Sequence, residues 1–524
     1  MVPPFTLRCL GTPALLDATG APVRLRTQKQ LALLVYLAIE GRGPVRRDRL
    51  ADLLWSSASM EDGRHSMGTA ISGLRRHVDP HGFSGNHQVV RMTADIGTDL
   101  ERLERGDVLA TDFVPALEVD AFLEDFEIPD APAFNHWRDQ QRARLWPLIE
   151  AALVRQMDHC RRTGDFIGIV RLADRTLQHN PLSEPAIRAR IEARAFAGDR
   201  IGALRAFETW KRSLHQELDA EPSDQLEAMA RRLRRGTLEG GGDGTRPRVP
   251  TEQWKDRAFI GRAREYRALY EAWERTTHRE PTHALVLGES GIGKSTLIQR
   301  LLTAASLEGA VTSRVQCYEL ERDIPYAALG ALVRGLLERP EAKGTAPNSL
   351  ADLAQAVPAV HEHFPHLPTA LQLQGESFRI RITDAMEALL RTIAEETPVI
   401  LVVDDFHLAD DASAAVVHLL ARRFEAERVM LALAARPTGP NESPNISKLR
   451  ESHRRLGFVS LELPPMADDE AAAMLDALAA DGPTPGKTVR DAMLRSAGGY
   501  PMALELFVSE WISSGESSLA LAVP

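Results

Sequence analysis

Residues 288–295 read Gly288-Glu289-Ser290-Gly291-Ile292-Gly293-Lys294-Ser295, which fits the pattern G-x-x-x-x-G-K-[ST] without a mismatch. The apolar run 283–287 before it predicts a buried strand, and the pattern from Thr296 onward predicts a helix. A glycine-rich turn between a strand and a helix directs backbone N–H groups toward phosphate oxygens, at a helix N-terminus that favours anions. The stretch therefore predicts a P-loop that binds a nucleoside triphosphate, and the alternative is a chance glycine-rich turn.

The pattern assigns a separate role to each part of this loop. Its glycines let the backbone approach phosphate groups, Lys294 is expected to reach the β- and γ-phosphates, and the Ser295 hydroxyl is expected to bind Mg²⁺. The candidate nucleotide-binding residues of the loop are Gly288, Gly291, Gly293, Lys294, Ser295 and Thr296.

A second apolar run ends in two carboxylates 110 residues beyond Lys294. The run 399–403 leads directly into Asp404 and Asp405, which is the form expected of a central parallel strand. We predict that this strand neighbours the P-loop strand, that Asp404 holds the Mg²⁺ shell, and that Asp405 orients or deprotonates the attacking water. The alternative is that two adjacent acids simply end a strand at a turn.

A third apolar run, 429–435, is followed by Arg436. An arginine at the carboxyl end of a parallel strand lies at the edge where ligands bind, so we predict that Arg436 senses the γ-phosphate. The alternative is a solvated strand terminus.

The composition is that of an ordinary globular chain. Its 524 residues, 44% hydrophobic and 26% charged, suffice for about three or four domains. Cys9, Cys160 and Cys317 lie far apart, so neither a disulfide framework nor a metal-binding spacing is indicated. We expect no leader peptide and no membrane partner, since no apolar run approaches membrane-spanning length, and we expect a cytoplasmic protein.

The charge is unevenly distributed along the chain. The net charge is −10, yet residues 1–98 carry 12 Lys or Arg against 8 Asp or Glu, a net +4. This asymmetry indicates an N-terminal module whose partner differs from that of the rest of the chain.

The N-terminal module has the element order of a winged helix. Residues 5–26 predict a small antiparallel sheet, because short apolar runs alternate with turn signals. Helices are predicted over 29–39, 46–55 and 63–78, and residues 88–92 predict a strand of a terminal hairpin.

The third predicted helix has an apolar stripe and an opposite polar face. In a winged helix this helix enters the major groove of DNA, so the polar face is a candidate DNA surface. The candidate DNA-binding residues are His65, Thr69, Ser72 and Arg76 on that face, with Arg64 and Arg75 on its flanks. The alternative is that these arginines only solvate the helix. Gly68 and Gly73 lie within it, and each costs about 1 kcal/mol of helix propensity relative to alanine.

The middle of the chain carries a repeat. Gly164-Asp165 and Gly198-Asp199 are 34 residues apart, which is the tetratricopeptide period, and each precedes an amphipathic helix. Stacked helical hairpins of this kind form interaction surfaces, and a helical filler domain is the alternative. Residues 236–250 contain seven Gly or Pro, which predicts a flexible linker.

The C-terminal half, 253–515, resembles the AAA-type ATPase module of STAND signalling proteins. The resemblance depends on Phe259-Ile260-Gly261-Arg262, on the acidic strand end 402–410, and on Gly499-Tyr500-Pro501. It implies ATP or ADP as the nucleotide, slow hydrolysis that serves as a switch, and an adenine site flanked by Ile260, Gly261, Arg262 and Pro501. Ala263 departs from the family pattern, in which an acid follows the arginine, and His407-Leu408 replaces the common His-Trp.

Residues 1–235 resemble an OmpR-type winged helix fused to a bacterial transcriptional activation domain, as in SARP/AfsR-like regulators, the Streptomyces antibiotic regulatory proteins. The matching strings are Leu53-Leu54-Trp55, 180–184, 198–208 and 217–223. The resemblance implies that the winged helix binds promoter repeats in double-stranded DNA as a dimer. It also implies that the tetratricopeptide segment contacts RNA polymerase.

Together these patterns predict a multidomain α/β protein with a winged helix-turn-helix, an α-helical tetratricopeptide-like domain, and a P-loop NTPase with a parallel sheet and a helical lid. The expected domains are 1–98 (winged helix), 99–235 (activation domain), 236–252 (linker), 253–437 (ATPase core) and 438–524 (helical lid region). The leading hypothesis is a transcriptional activator gated by ATP, with nucleotide-dependent association between chains. Two alternatives stay open: a DNA-remodelling or replication-initiator ATPase, and a STAND signalling or defence protein whose N-terminal half binds protein.

Overall fold

A computed structural model describes residues 4–40, 43–105, 122–235, 260–372, 374–437, 458–480 and 482–514. The chain divides into two compact units, each of which is described by itself: Met1–His159 with Arg171–Ala186, and Cys160–Val170 with Ile187–Pro524. The predicted linker lies outside the described residues. None of the helices in the described ranges combines the length and the apolar character needed to cross a bilayer.

The first unit begins with two small sheets and three helices. Its elements are β1 Phe5–Arg8, β2 Ala14–Asp17, α1 Gln28–Glu40, β3 Val45–Arg46, α2 Arg47–Trp55, α3 Met60–His77, β4 Phe83–Gly85, β5 Val89–Met92, β6 Ile96–Thr98 and α4 Asp99–Arg105. One sheet has the order β2-β1-β6, with β1 antiparallel to β2 and parallel to β6. The other has the order β3-β5-β4, in which β4 and β5 form a hairpin. The order of sheet, three helices and hairpin is the element order that the sequence predicts for this module.

Helix α3 begins three residues before the predicted start at residue 63, and it packs as its sequence predicts. The Ser59 hydroxyl accepts a hydrogen bond from the Asp62 backbone N–H, which caps the first turn. Met67, Ile71 and Leu74 are buried along one face, because apolar residues at helical spacing form a single stripe. The opposite face of α3 is therefore free to meet solvent or a ligand.

The helical region after α4 contains long helices joined by short turns. Its described elements are α5 Pro132–Thr163, α6 Phe166–His179, α7 Glu184–Phe196, α8 Arg200–Leu218 and α9 Asp224–Arg235. The predicted repeat has the same local geometry at both positions. Gly164 and Gly198 have φ of +74° and +80°, and the carboxylates of Asp165 and Asp199 accept backbone N–H groups three residues ahead, at 2.8 and 2.7 Å. A left-handed glycine followed by an aspartate cap thus ends one helix and starts the next.

The remaining elements of the second unit form an α/β layer and a group of C-terminal helices. They are α10 Ala263–Thr277, β7 His283–Leu287, α11 Lys294–Glu308, β8 Val311–Gln316, α12 Ala327–Leu337, α13 Pro347–Ala356, α14 Ala359–His363, α15 Gly375–Glu396, β9 Val399–Asp404, α16 Asp411–Arg423, β10 Val429–Ala435, β11 Phe458–Glu462, α17 Asp468–Leu478, α18 Lys487–Ala497 and α19 Pro501–Ser514. Short 3₁₀ turns occur at 319–321, 340–344 and 406–408.

The sheet of this layer is parallel throughout, with the order β11-β7-β10-β9-β8. Every residue of β7, β9 and β10 is buried, as expected of central strands covered by helices on both faces. The prediction that the acidic strand β9 neighbours the P-loop strand β7 is wrong, because β10 lies between them. The carboxyl ends of all three strands still meet at one edge of the sheet, so the acids remain near the P-loop.

The C-terminal helices α17, α18 and α19 share an apolar core of their own. Leu475, Met493, Leu504 and Val508 are each no more than 1% exposed, and Trp511 packs with them. This core makes the group a helical lid region beside the sheet, as predicted. The domain boundaries drawn from the sequence stay predictions.

Candidate nucleotide-binding site

The P-loop between β7 and α11 has the backbone that its glycines allow. Gly291 and Gly293 have φ of +74° and +101°, a region that favours glycine. A Cβ at Gly288 would lie 2.7 Å from the Ile292 side chain, so a larger residue would push against the loop. The loop therefore keeps a narrow backbone cradle at the start of α11.

Lys294 lies beneath this cradle and is held by it. Its Nζ donates hydrogen bonds to the carbonyl oxygens of Gly288 at 2.8 Å and Glu289 at 2.9 Å. Burial lowers the pKa of Lys294, while the carboxylate of Asp405 opposes that shift. Ser295 and Thr296 are exposed in the first turn of α11. A poorly hydrated ammonium beside exposed hydroxyls and N–H groups is suited to an anionic ligand.

The two predicted acids differ in their surroundings. Asp404 is 1% exposed, and its Oδ2 accepts a hydrogen bond from Arg314 Nη2 at 2.6 Å. Asp405 is half-buried with φ of +51°, and its Oδ2 accepts a hydrogen bond from Gln316 Nε2 at 3.3 Å. The first acid is thus ion-paired inside the sheet edge, whereas the second projects from a strained turn toward the loop.

Two further side chains reach the same edge of the sheet. Arg436, which follows β10, is exposed, and its Nη2 lies 3.5 Å from Ser290 Oγ of the P-loop. His407 follows the acids, and its buried Nδ1 has no hydrogen-bond partner among the described residues. Burial lowers the pKa of His407, although Asp405 opposes this. The structure therefore brings Arg436 to the P-loop and adds His407, to which the sequence assigned no role.

The two segments expected to flank the adenine both meet the P-loop. Arg262 is buried with φ of +60°, and its Nη2 donates to the carbonyl oxygens of Ile292, at 3.5 Å, and Pro464. From the lid, the Met502 backbone N–H donates to Gly291 O at 3.2 Å.

The segments 260–262 and 499–502 make further contacts with each other's neighbours and with the P-loop. Pro501 lies 3.9 Å from the position of a Cβ at Gly293. The Met466 N–H donates to Gly499 O at 2.8 Å, and a Cβ at Gly261 would lie 3.0 Å from Met466 Cε. Ile260 is half-buried. Segments more than 200 residues apart in sequence therefore converge on the loop.

Three functional candidates carry no signal in the local sequence. Arg314 and Gln316 project from β8, and Gln299 on α11 accepts a hydrogen bond from Arg314 at 2.7 Å. Each would look like an ordinary polar residue until the strand order placed β8 beside β9. Within the described ranges, no group of three or more His, Cys, Asp or Glu side chains could hold a metal ion.

In the first unit, the structure separates the candidate DNA-binding residues of α3 into two groups. His65, Thr69, Ser72 and Arg76 are exposed on one face. Arg64 instead pairs with Asp48 of α2, with Nη2 2.5 Å from Oδ1, and Arg75 Nη2 donates to Phe83 O at 2.6 Å.

The two paired arginines differ in exposure. The Arg64 side chain is 53% exposed although it pairs with Asp48 of α2, so a ligand can reach it together with the four residues of the exposed face. Arg75 is half-buried and ties α3 to the β4 hairpin.

Two family models match the chain. The model of the AAA ATPase domain matches residues 258–432, and that of the bacterial transcriptional activator domain matches residues 120–234. No curated protein matches it.

Several solved structures share a partial likeness with the chain. EmbR from Mycobacterium tuberculosis, in complex with a low-affinity phosphopeptide, is 19% identical with a TM-score of 0.35, over 52% of this chain and 72% of EmbR. AMPPCP-bound DnaA from Aquifex aeolicus is 15% identical with a TM-score of 0.32, over 53% and 68%. The ORC2 protein of Aeropyrum pernix, in ADPNP–ADP complexes, is 18% identical with a TM-score of 0.29, over 55% and 73%.

The P-loop and strands β7, β8 and β9 of the parallel sheet lie within the segment that matches the AAA ATPase domain, and the segment that matches the bacterial transcriptional activator domain comes before it in the chain. This combination confirms the resemblance, drawn from the sequence, to a SARP-type regulator fused to an ATPase module.

Proposed function

We propose that this chain is a bacterial DNA-binding transcriptional activator whose activity is gated by ATP binding and slow hydrolysis in a STAND-type module. One observation carries the proposal: the first turn of the lid helix α19 is hydrogen-bonded to the P-loop, through Met502 N–H and Gly291 O. A nucleotide on this loop would lie beside the lid, because the loop contacts the lid through the Gly291 carbonyl oxygen and would contact phosphate through its N–H groups. A shift of the loop on nucleotide binding would then move the helical group bonded to it, which is what a switch requires.

The residues present fit a nucleotide with Mg²⁺. The cradle of Gly291 and Gly293 and the partly desolvated Lys294 match phosphate oxygens, and the exposed Ser295 hydroxyl and Asp404 provide hard oxygen ligands for the cation. Bound Mg²⁺ would neutralise charge on the phosphate oxygens. The convergence of Arg262 and Pro501 on the loop supports an adenine site beside it, which favours ATP and ADP as the ligands.

Asp405 and Arg436 are the candidates for the chemical step. Asp405 is half-buried near Lys294 and would orient or deprotonate a water molecule. Arg436 is close enough to Ser290 to contact a terminal phosphate and to stabilise negative charge that develops there. Gln316 holds the Asp405 carboxylate from β8, which limits its freedom. Slow turnover that resets the switch is the expected outcome.

The exposed face of α3 supports DNA as the partner of the N-terminal module. His65, Thr69, Ser72 and Arg76 supply hydrogen-bond donors and acceptors of the kind that contact base edges and phosphates. We infer that promoter repeats are bound by two or more copies, and that the transcriptional activator domain contacts RNA polymerase. Nucleotide-dependent association between chains would link the two halves of this function in the cytoplasm.

Footprinting of the full chain on the DNA upstream of its own gene tests the proposal. We expect protection of repeated sites, with an extent that differs between ATP, ADP and no nucleotide, and no such difference for Lys294→Ala. Protection that is identical in all three conditions for the unaltered chain would contradict gating. ATP turnover on the order of 1 s⁻¹ or faster that DNA stimulates would instead favour a DNA-remodelling enzyme.

A further inference from the structure

Arg314 joins three parts of the nucleotide site. Its Nη2 donates to Asp404 Oδ2 at 2.6 Å, and its Nη1 donates to Gln299 Oε1 at 2.7 Å. The Arg314 side chain is 20% exposed and that of Asp404 is 1% exposed, so the pair is largely shielded from water. One guanidinium thus connects β8 and the acidic end of β9 to α11, the helix that begins with Lys294.

The register of the sheet explains why β8 supplies this contact. Arg314 lies opposite Val402, and Gln316 lies opposite Asp404, in the parallel pairing of β8 with β9. Residues two apart in a strand point to the same face, so Arg314 and Gln316 project together toward the acids. Arg314 donates a hydrogen bond to Asp404, whereas Gln316 donates one to Asp405.

The ion pair has a direct consequence for any second cation. Asp404 already has its charge compensated by Arg314, and its Oδ1 accepts the Asp405 backbone N–H at 3.1 Å. A divalent cation at this carboxylate would share it with a guanidinium, and like charges in a shielded site repel strongly. By reciprocity, each cation weakens the hold of the other on the carboxylate.

We propose that Arg314 is a positioning residue that holds Asp404 and opposes Mg²⁺ there, and so sets the Mg²⁺ concentration at which the site takes up nucleotide. This inference rests on the proposed nucleotide function of the site. It assigns to β8 a role that the P-loop and the acidic strand do not reveal by themselves. Arg314 acts through Asp404 and not by touching the nucleotide.

The test measures binding of mant-ATP, a fluorescent ATP analogue, to the full chain as Mg²⁺ is raised. Arg314→Gln removes the charge but keeps a hydrogen-bond donor for Asp404, and Arg314→Lys keeps the charge. We expect the midpoint Mg²⁺ concentration to fall about tenfold for Arg314→Gln and to stay within about threefold for Arg314→Lys, in line with ordinary coupling between sites. A midpoint for Arg314→Gln that equals or exceeds that of the unaltered chain overturns the inference.

A double-mutant cycle separates this role from a purely structural one. In an Asp404→Asn background the shared charge is gone, so adding Arg314→Gln is expected to shift the midpoint less than about twofold. An undiminished shift in that background overturns the inference. If thermal melting shows that Arg314→Gln does not fold, Gln299→Leu is used instead, because it removes the hydrogen bond between Gln299 and Arg314. The midpoint Mg²⁺ concentration is then expected to fall about threefold. No fall for Gln299→Leu also overturns it, whereas no mant-ATP binding by the unaltered chain rejects the proposed function itself.

Discussion

The nucleotide site and the exposed face of α3 are assembled in opposite ways. The site combines the P-loop, the ends of β9 and β10, the Arg262 segment and the first turn of α19, which are brought together only by the fold. The face of α3 is a local surface, because residues at helical spacing line up on one helix whatever surrounds it. A substitution in the nucleotide site can therefore alter distant parts of the unit that contains it. A substitution on the exposed face of α3 should act only at that face.

The largest expected effect is on the nucleotide site. Lys294→Ala removes the one ammonium that the P-loop holds with two carbonyl oxygens. Loss of charge-assisted contacts to two phosphates should weaken nucleotide binding at least about 100-fold, equal to about 3 kcal/mol. Equilibrium binding of mant-ATP measures this loss of nucleotide affinity. The affinity for DNA without nucleotide should change less than about threefold.

A control and a second variant test this prediction further. The control, Lys343→Ala, removes an exposed lysine in the same unit, at the end of a 3₁₀ turn, and should leave nucleotide binding unchanged. Asp405→Asn should keep binding but lower turnover by about 100-fold or more, the range typical of a lost general base. Nucleotide affinity retained in Lys294→Ala would show that the loop does not bind phosphate.

The next largest effect is a dependence of the stability of the second unit on pH, which comes from a histidine in its sheet. His283 in β7 is 1% exposed, and its Nδ1 accepts the Leu431 backbone N–H at 3.2 Å, so a proton there would face another donor. Burial lowers the pKa of His283 to about 4 from its ordinary value near 6.5. The neutral form is the stable one in the fold, so its contribution is present above about pH 6.5 and is lost as the pH falls toward 4.

Urea unfolding at several pH values measures this contribution. For a depressed histidine pKa of this size, stability of the second unit should fall by about 2 kcal/mol between pH 7.5 and pH 5. His283→Asn should have a shallower pH dependence, whatever its stability at neutral pH. His65→Asn, which removes an exposed histidine of the first unit, is the control and should leave the unfolding of the second unit as it is. An equal slope in His283→Asn and the unaltered chain would contradict the assignment.

The sequence predicted the parts of the site that lie within one segment. β7, β9 and β10 coincide closely with the predicted apolar runs, because a strand covered on both faces must be apolar along its length. The order of those strands was wrong, since no local pattern shows that β10 inserts between β7 and β9. The ion pair of Arg314 with Asp404 was missed for the same reason, as it joins residues 90 positions apart.

The same limit appears on a smaller scale in α3. Helical period predicted the buried stripe and the exposed face, because both follow from 100° per residue alone. It did not predict that Arg64 and Arg75 are engaged, since Asp48 and the Phe83 carbonyl belong to other elements. Contacts between elements depend on packing that a single-helix projection does not contain.

A smaller effect is expected from the exposed face of α3. Arg76→Ala should lower affinity for the footprinted DNA about tenfold and reduce the slope of log K against log salt by about 1, as loss of one phosphate contact does. Arg422→Ala, an exposed arginine of α16, should change neither quantity. A salt slope unchanged by Arg76→Ala would place the DNA contact elsewhere and favour protein as the partner of this module.

The smallest effect separates the two glycines of α3. Apart from its own helix, no described atom lies within 4 Å of a Cβ at Gly68, whereas a Cβ at Gly73 would lie 2.2 Å from Gln30 Nε2. Gln30 cannot move freely, because it is buried and its Oε1 accepts the Arg26 N–H at 2.9 Å. Gly68→Ala should therefore raise the free energy of unfolding by about 0.5–1 kcal/mol, and Gly73→Ala should give no gain or a loss of about 1 kcal/mol.

Urea unfolding and DNA affinity are measured for both variants, Gly68→Ala and Gly73→Ala. Equal stabilisation by both alanines would contradict the close packing of α1 on α3 at Gly73. If Gly68→Ala stabilises the unit and leaves DNA affinity unchanged, the glycine serves neither the fold nor the contact. If it stabilises the unit but weakens DNA binding, the open backbone at Gly68 is part of the contact surface. The local character of α3 is what allows one methyl group to distinguish these roles, since the change cannot spread through the fold as it would at the P-loop.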